Sequence, residues 1–254
     1  MKQAIFVVLF LTTLFQQCLS DAPSKKGSKA IHHEQWTLLL QKHVDNLGNV
    51  NYGGFQDDST RLNAYLDLLR LNPPDPEIWS REAQLAYWIN LYNAFTIKLI
   101  IRHYPLKSIK DIGSKIQIPF INSPWDIKFI NINDEMLDLN NVEHSILRKK
   151  FDEPRIHFAI NCASYSCPKL RREAFEAQKL NAQLEEQSID FINDPKRNIL
   201  AKDHVKLSKI FDWFQGDFTK SGSLIDFINQ YSEIAIPKKA KISYLDYNWS
   251  LNED

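Results

Sequence analysis

Glycine is scarce, with seven residues in a chain of 254. None stands in the spaced, glycine-rich arrangement whose backbone amides cradle a phosphate, which excludes a nucleotide-binding loop. An excess of either charge is also missing: 31 Lys and Arg face 31 Asp and Glu. Such a balance gives no support for a nucleic-acid partner or for an anionic membrane surface. Cysteine is rarer still, with three residues, of which only Cys162 and Cys167 lie beyond the N-terminal leader. One CxxxxC without a second close pair falls short of the spacing of zinc sites, so no metal and no cofactor is expected. Past the leader, no apolar run is long enough to cross a bilayer.

What is present begins with that leader. Lys2 precedes the apolar run from Ala4 to Phe15, Cys18 and Ser20 place small residues at the cleavage-defining positions, and polar sequence starts at Asp21. This is the layout of a cleaved secretory signal over residues 1–20, and the destination is outside the cell or the periplasm. A lipid anchor through Cys18 is the other reading, but Gln16 and Gln17 are a poor approach to a lipidated cysteine. Residues 21–33 form a lysine-rich, flexible leader, and residues 34–254 form one globular domain. Six Trp, nine Tyr and fifteen Phe supply a substantial core.

Periodicity predicts a helix in "EQWTLLLQKHVDNLG" ending at Gly48, a turn at "NYGGF", and a helix from Ser59 to the breaker "LNPPDPE". The longest helix runs from Ser80 as cap to Pro105 as stop. It carries large apolar residues on nearly every face, so it belongs at the centre of the fold. "KIQIPF", "WDIKFINI" and "RIHFAI" read as strands. "LDLNNVEHSILRKKF" and "REAFEAQKLNAQLEEQSIDFIND" read as helices, and "NILAKDHVKLS" as two strand pieces. A pair of short helices over 208–231 completes the pattern. The fold class is α+β: a long buried central helix, surrounding helices, and a small, mainly antiparallel sheet.

Polar residues at positions of expected burial mark the candidate site. Asn90 and Asn93 are three apart on one face of the central helix. A buried amide costs about 1–3 kcal/mol unless it is hydrogen-bonded; the two therefore either brace a neighbouring loop or line a pocket. Glu143 and His144 are adjacent, roughly 100° apart on an α-helix. Together they supply the carboxylate and the imidazole that acid–base chemistry uses. Cys162 and Cys167 pair readily in an exported protein and would fix one turn. Alternatively, one is a thiol nucleophile activated at a helix N-terminus, with Ser166 as the cap and Pro168 in the first turn.

The segments "LAYWINLYNAFTIKLI", "NNVEHSILR", "PRIHFAINCASYSCPKLR" and "YLDYNWSLN", in this order, resemble those of the domain-of-unknown-function 547 family, over about residues 80–251. That family includes exported bacterial and animal proteins, and plant proteins beside a leucine-zipper region. The resemblance implies a shared core of Trp88, Asn90, Tyr92 and Asn93, then Glu143 and His144, then Ser166, Pro168 and Arg171. Plant-type members do not have the full pair of cysteines at the positions matching Cys162 and Cys167. This moves weight from a thiol mechanism to the Asn/Glu/His set and leaves the disulfide as a local feature of exported members. The topology is also reminiscent of papain-like and transglutaminase-like hydrolases, although the central helix here starts without a cysteine.

Three functions fit these residues. In the first, a polar pocket binds a small ligand or peptide through Asn90, Asn93, Ser166 and Arg171 beside Glu143 and His144, with a Cys162–Cys167 disulfide. In the second, a thiol-dependent hydrolase or transferase uses Cys162 or Cys167 with His144. In the third, the set is purely structural. "NWS" at 248–250 matches a glycosylation acceptor, meaningful at Asn248 only in a eukaryotic secretory pathway.

Overall fold

A computed structural model describes residues 29–113 and 123–253. The expected signal at 1–20, most of the 21–33 leader and the expected strand "KIQIPF" lie outside the described residues. Three helices open the described chain: α1 (Glu34–His43), α2 (Tyr52–Asp57) and α3 (Ser59–Leu71). Helix α1 stops well before Gly48. Helix α2 replaces the turn expected at "NYGGF", because Asn51 accepts the Gly54 amide at 2.7 Å and starts a helix there. At Gly54 a Cβ would sit 2.5 Å from His43 Nδ1, so only glycine allows the close approach.

Helix α4 (Arg81–His103) is the centre. Ser80 accepts the Ala83 amide at 3.2 Å and starts it. Tyr104 is extended, as the residue before Pro105 must be, and this ends it. Helices α1, α2 and α3 and the later polar segments close around α4, burying Leu85, Tyr87, Ile89, Leu91, Tyr92 and Phe95.

The chain then makes a hairpin from β1 (Ile130–Ile132) and β2 (Glu135–Leu137), paired antiparallel. Asn133 and Asp134, both at positive φ, form its two-residue turn. Only the end of "WDIKFINI" is therefore strand. A π-helical turn over Asn141–Leu147 leads into α5 (Arg148–Lys150). "RIHFAI", expected to be a strand, contains the helical turn α6 (Ile156–Ala159). Side chains take the carbonyls there: Gln187 donates to Phe158 O at 2.8 Å and Asn93 to Ala159 O at 3.0 Å. They satisfy groups that a strand would have given to a ladder.

Helix α7 covers Leu180–Asn193 only. The residues before it are irregular because side chains hold their backbone: Asn90 bonds both the amide and the carbonyl of Phe175, and Gln183 bonds Ala174 O and Glu176 N. The expected helix start at Ser166–Pro168 is therefore absent, and the cysteines do not sit at a helix N-terminus. Strand β3 (His204–Leu207) pairs parallel with β4 (Lys241–Tyr244) across α8 (Lys209–Trp213), α9 (Gln215–Phe218) and α10 (Leu224–Ile228). Three short helices stand where a pair was expected. The class is α+β, but one strand pair is antiparallel and the other parallel.

Two apolar clusters result. One surrounds α4; the other, around Phe158, Phe191, Phe211 and Phe227, joins α7 to the C-terminal helices. Among the described residues no helix is long and apolar enough to cross a membrane.

Candidate functional site

A cavity of about 150 Å³ opens at the seam between the two clusters. Tyr92 and Ile160 reach it from the first, Ile210 and Phe214 from the second. Concave sites between packed units are where ligands usually bind.

Its polar floor comes from the π-helical turn. Asn140 at the start of this turn donates to Asp126 at 2.6 Å, and Asn141 and Asp138 exchange backbone-to-side-chain bonds of 2.6 and 3.2 Å. A π turn packs more residues per revolution than an α turn, which narrows the angle between neighbours. Glu143 and His144, neighbours on this turn, both line the cavity. Glu143 is only 8% exposed. The hydroxyl of Tyr92 on α4 donates to Glu143 Oε2 at 3.3 Å. Burial pushes this carboxyl up to about 7, although the Tyr92 bond and the nearby Arg148 charge pull it down. His144 is shifted the other way, lowered by burial and then by Arg148. One carboxyl that changes charge near neutral pH, beside an imidazole, can give or take a proton.

Behind His144 stands a charged relay. Arg148 meets His144 Nδ1 at 3.1 Å and donates two bonds to Asp217, at 2.6 and 3.1 Å. Asp217 also meets His157 Nε2 at 2.8 Å. Burial raises the Asp217 carboxyl, but the bonds from His157 and Arg148 outweigh this and hold it well below its ordinary range. His157, buried and stacked on Phe214 with ring centres 4.0 Å apart, is lowered by burial against the pull of Asp217.

The wall is aromatic. Trp249 packs against Tyr247 (4.5 Å between ring centres), Trp125 (5.5 Å) and Trp213 (5.8 Å). Trp213 remains 47% exposed at the mouth. The C-terminal segment carrying Tyr247 and Trp249 is tied to the cysteine loop by Tyr165 N to Ser250 O at 2.7 Å and Asn248 N to Ser166 Oγ at 3.0 Å.

Cys162 and Cys167 line the cavity and are bonded to each other, with Cα atoms 6.2 Å apart. The Tyr247 hydroxyl lies 3.3 Å from each sulfur. In this form neither sulfur is a free thiol. The other sequence candidates lie off the cavity lining. Asn90 and Asn93 spend their amides on Phe175, Ala159 and Asn161. Ser166 holds the Asn248 segment. Arg171 bonds Glu173 at 2.6 Å and Glu186 at 2.8 Å and lines a larger, separate depression. These four shape or brace the fold around the cavity.

Asp217, Arg148 and His157 were not singled out from the sequence as members of the site. Asp217 is 60 residues from His157, and no local pattern announces it. Tyr247 and Trp249 do lie in "YLDYNWSLN", a segment singled out above, but their role as a wall carried no local signal. Among the described residues no three His, Cys, Asp or Glu side chains are gathered as a metal site would need.

The geometry defines an α+β domain with one aromatic-walled cavity over a buried acid. Residues 76–192 match the family described as "Protein of unknown function, DUF547", and this segment is a domain of that family. The matched segment carries Tyr92, Glu143, His144 and both cysteines, whereas Trp213, Asp217, Tyr247 and Trp249 come from beyond it. No curated protein and no solved structure matches the chain.

Proposed function

We propose that this is an exported domain that binds a small ligand or a peptide side chain in the cavity between Glu143 and Trp249. The observation that carries the reading is the placement of one nearly buried carboxyl, Glu143, at the floor of an otherwise largely aromatic and aliphatic cavity. Apolar walls with few, converging polar groups are the usual composition of a ligand site. The Cys162–Cys167 bond supports binding over thiol chemistry, because a thiol-dependent hydrolase or transferase needs a free sulfur. Export fits the same bond, since disulfides persist in oxidising compartments.

Three tryptophans in the wall provide the readout. A screen of small metabolites and short peptides should yield a compound that changes the intrinsic fluorescence saturably in the wild-type protein. Trp213→Ala, at the half-exposed mouth, should weaken that response at least about tenfold while leaving the far-UV circular dichroism unchanged. A wild-type response that Trp213→Ala and Glu143→Gln both leave intact would place the binding elsewhere and end this reading.

A further inference from the structure

The charges around the cavity narrow the chemistry of its ligand. Arg148 is matched by Asp217 through two hydrogen bonds, and Asp217 is shared with His157. These charges largely cancel close to the cavity. Glu143 is different: among the described residues it forms no ion pair, and Tyr92 is its hydrogen-bond donor. A carboxyl kept in an apolar cavity without a cation is costly in its charged form. An incoming cation would remove that cost.

The wall points the same way. The π-face of an aromatic ring attracts cations, tryptophan most strongly. Trp249 already carries the ammonium of Lys110, 4.0 Å from the ring centre. Trp125, Trp213 and Tyr247, packed around Trp249, extend this electron-rich surface to the cavity lining. A volume of about 150 Å³ suits a compact headgroup and excludes a folded polymer.

Resting on the binding reading above, we propose that the cavity takes a small organic cation of the quaternary or methylated ammonium class, with Glu143 as its counter-ion and the Trp249 cluster as its wall. The cation pairs with the ionised carboxyl, so binding below about pH 7 releases the proton that burial holds on Glu143. Affinity then rises with pH. The groups facing Glu143 agree in sign. Tyr92 and Tyr247 have their hydroxyls raised by burial and stay neutral, and Asp217, held well below its ordinary range by the bonds from His157 and Arg148, keeps its charge. His144 and His157, both lowered, gain positive charge only on acidification and then repel a cation too. Asp126 and Asp138, which act on His144, are held by Asn140 and Lys128.

The test uses the intact oxidised chain and three probes: choline, its neutral carbon isostere 3,3-dimethyl-1-butanol, and methyl glucoside. Tryptophan fluorescence is followed at about pH 6 and about pH 8, either side of the Glu143 midpoint. Choline should bind at least about tenfold more tightly than either neutral probe at the higher pH, the difference being the ion-pair and cation–π contribution. Its affinity should fall about threefold or more at the lower pH, as the carboxylate is protonated. Glu143→Gln should abolish the pH dependence and cut the cation preference to about threefold, what the aromatic wall alone supplies. Trp213→Ala should weaken choline binding with the pH dependence retained, which keeps the proposal testable if Glu143→Gln fails to fold. If the isostere or the glucoside binds as tightly as choline, and Trp213→Ala abolishes it, the cation inference is overturned while the cavity remains a binding site. Absence of saturable choline binding overturns the inference outright; the wider ligand screen then judges the binding reading separately.

Discussion

Asn93 holds Asn161 from across the core: its side-chain carbonyl accepts the Asn161 amide at 2.8 Å, while its NH2 donates to Ala159 O at 3.0 Å. One residue of the central helix thus spans the exit of α6 and sets where the chain enters the cysteine loop. Asn161 passes the constraint on, accepting the Ala163 amide at 2.8 Å and donating to Pro168 O at 2.7 Å. Ala163 adopts a left-handed conformation there, at φ 60°. Asn93→Ala leaves two buried backbone groups without partners. It should cost about 2–4 kcal/mol in urea denaturation.

The Asp217 carboxylate is the common partner of Arg148 and His157, and Asp217→Asn leaves a buried histidine and a guanidinium without their anion. The loss should be about 3 kcal/mol at pH 7. Asp217 has a depressed folded pKa, so its stabilisation is present above the unfolded value of about 3.8 and is lost as pH falls through the folded value. The wild-type and variant stability curves should therefore converge in strong acid. Chemical denaturation at several pH values checks this.

Glu143 carries the opposite sign. Its folded pKa lies above its unfolded value of 4.5, so the favourable contribution is fully present below 4.5 and is lost as pH rises through about 7. Glu143→Gln, which keeps the shape and can still accept from Tyr92, should stabilise the protein at pH 8 by up to about 3 kcal/mol. It should change little at pH 4. Thermal melts of the two proteins across this range give the comparison.

For the cysteines, thiol titration of the native and the denatured protein should find none before reduction and two afterwards in the chain lacking residues 1–20, with the protein monomeric on a non-reducing gel. Replacing both by serine should cost roughly 2 kcal/mol, the loop-closure value for so short a link. A thiol that titrates without reduction would reopen the nucleophile reading.

The central helix was legible because its signals were local: Ser80 as cap, Pro105 as stop, and apolar residues on every face between them. The α+β class followed from the irregular mixture of periods. Around the site, local signals competed with side chains from distant segments. Asn90 and Gln183 hold the backbone of residues 174–176 out of the helix that their sequence favours, and Asn93 and Gln187 take the carbonyls of a run that reads as strand. The Asn pair was recognised as buried, and its bracing role is the one that its hydrogen bonds display. Glu143 and His144 stood out by residue type, but that both line one cavity showed only in the folded chain. Asp217 could be seen only once the chain was folded.

The charge state of Glu143 is the most direct point of test. Its carboxyl carbon can be followed by ¹³C NMR in glutamate-labelled protein, the resonance being assigned by its loss in Glu143→Gln. A titration midpoint near 7 is the predicted result. A midpoint at the ordinary glutamate value, about 4.5, would contradict the account, since an acid that ionises so readily is not shut in an apolar cavity waiting for a partner.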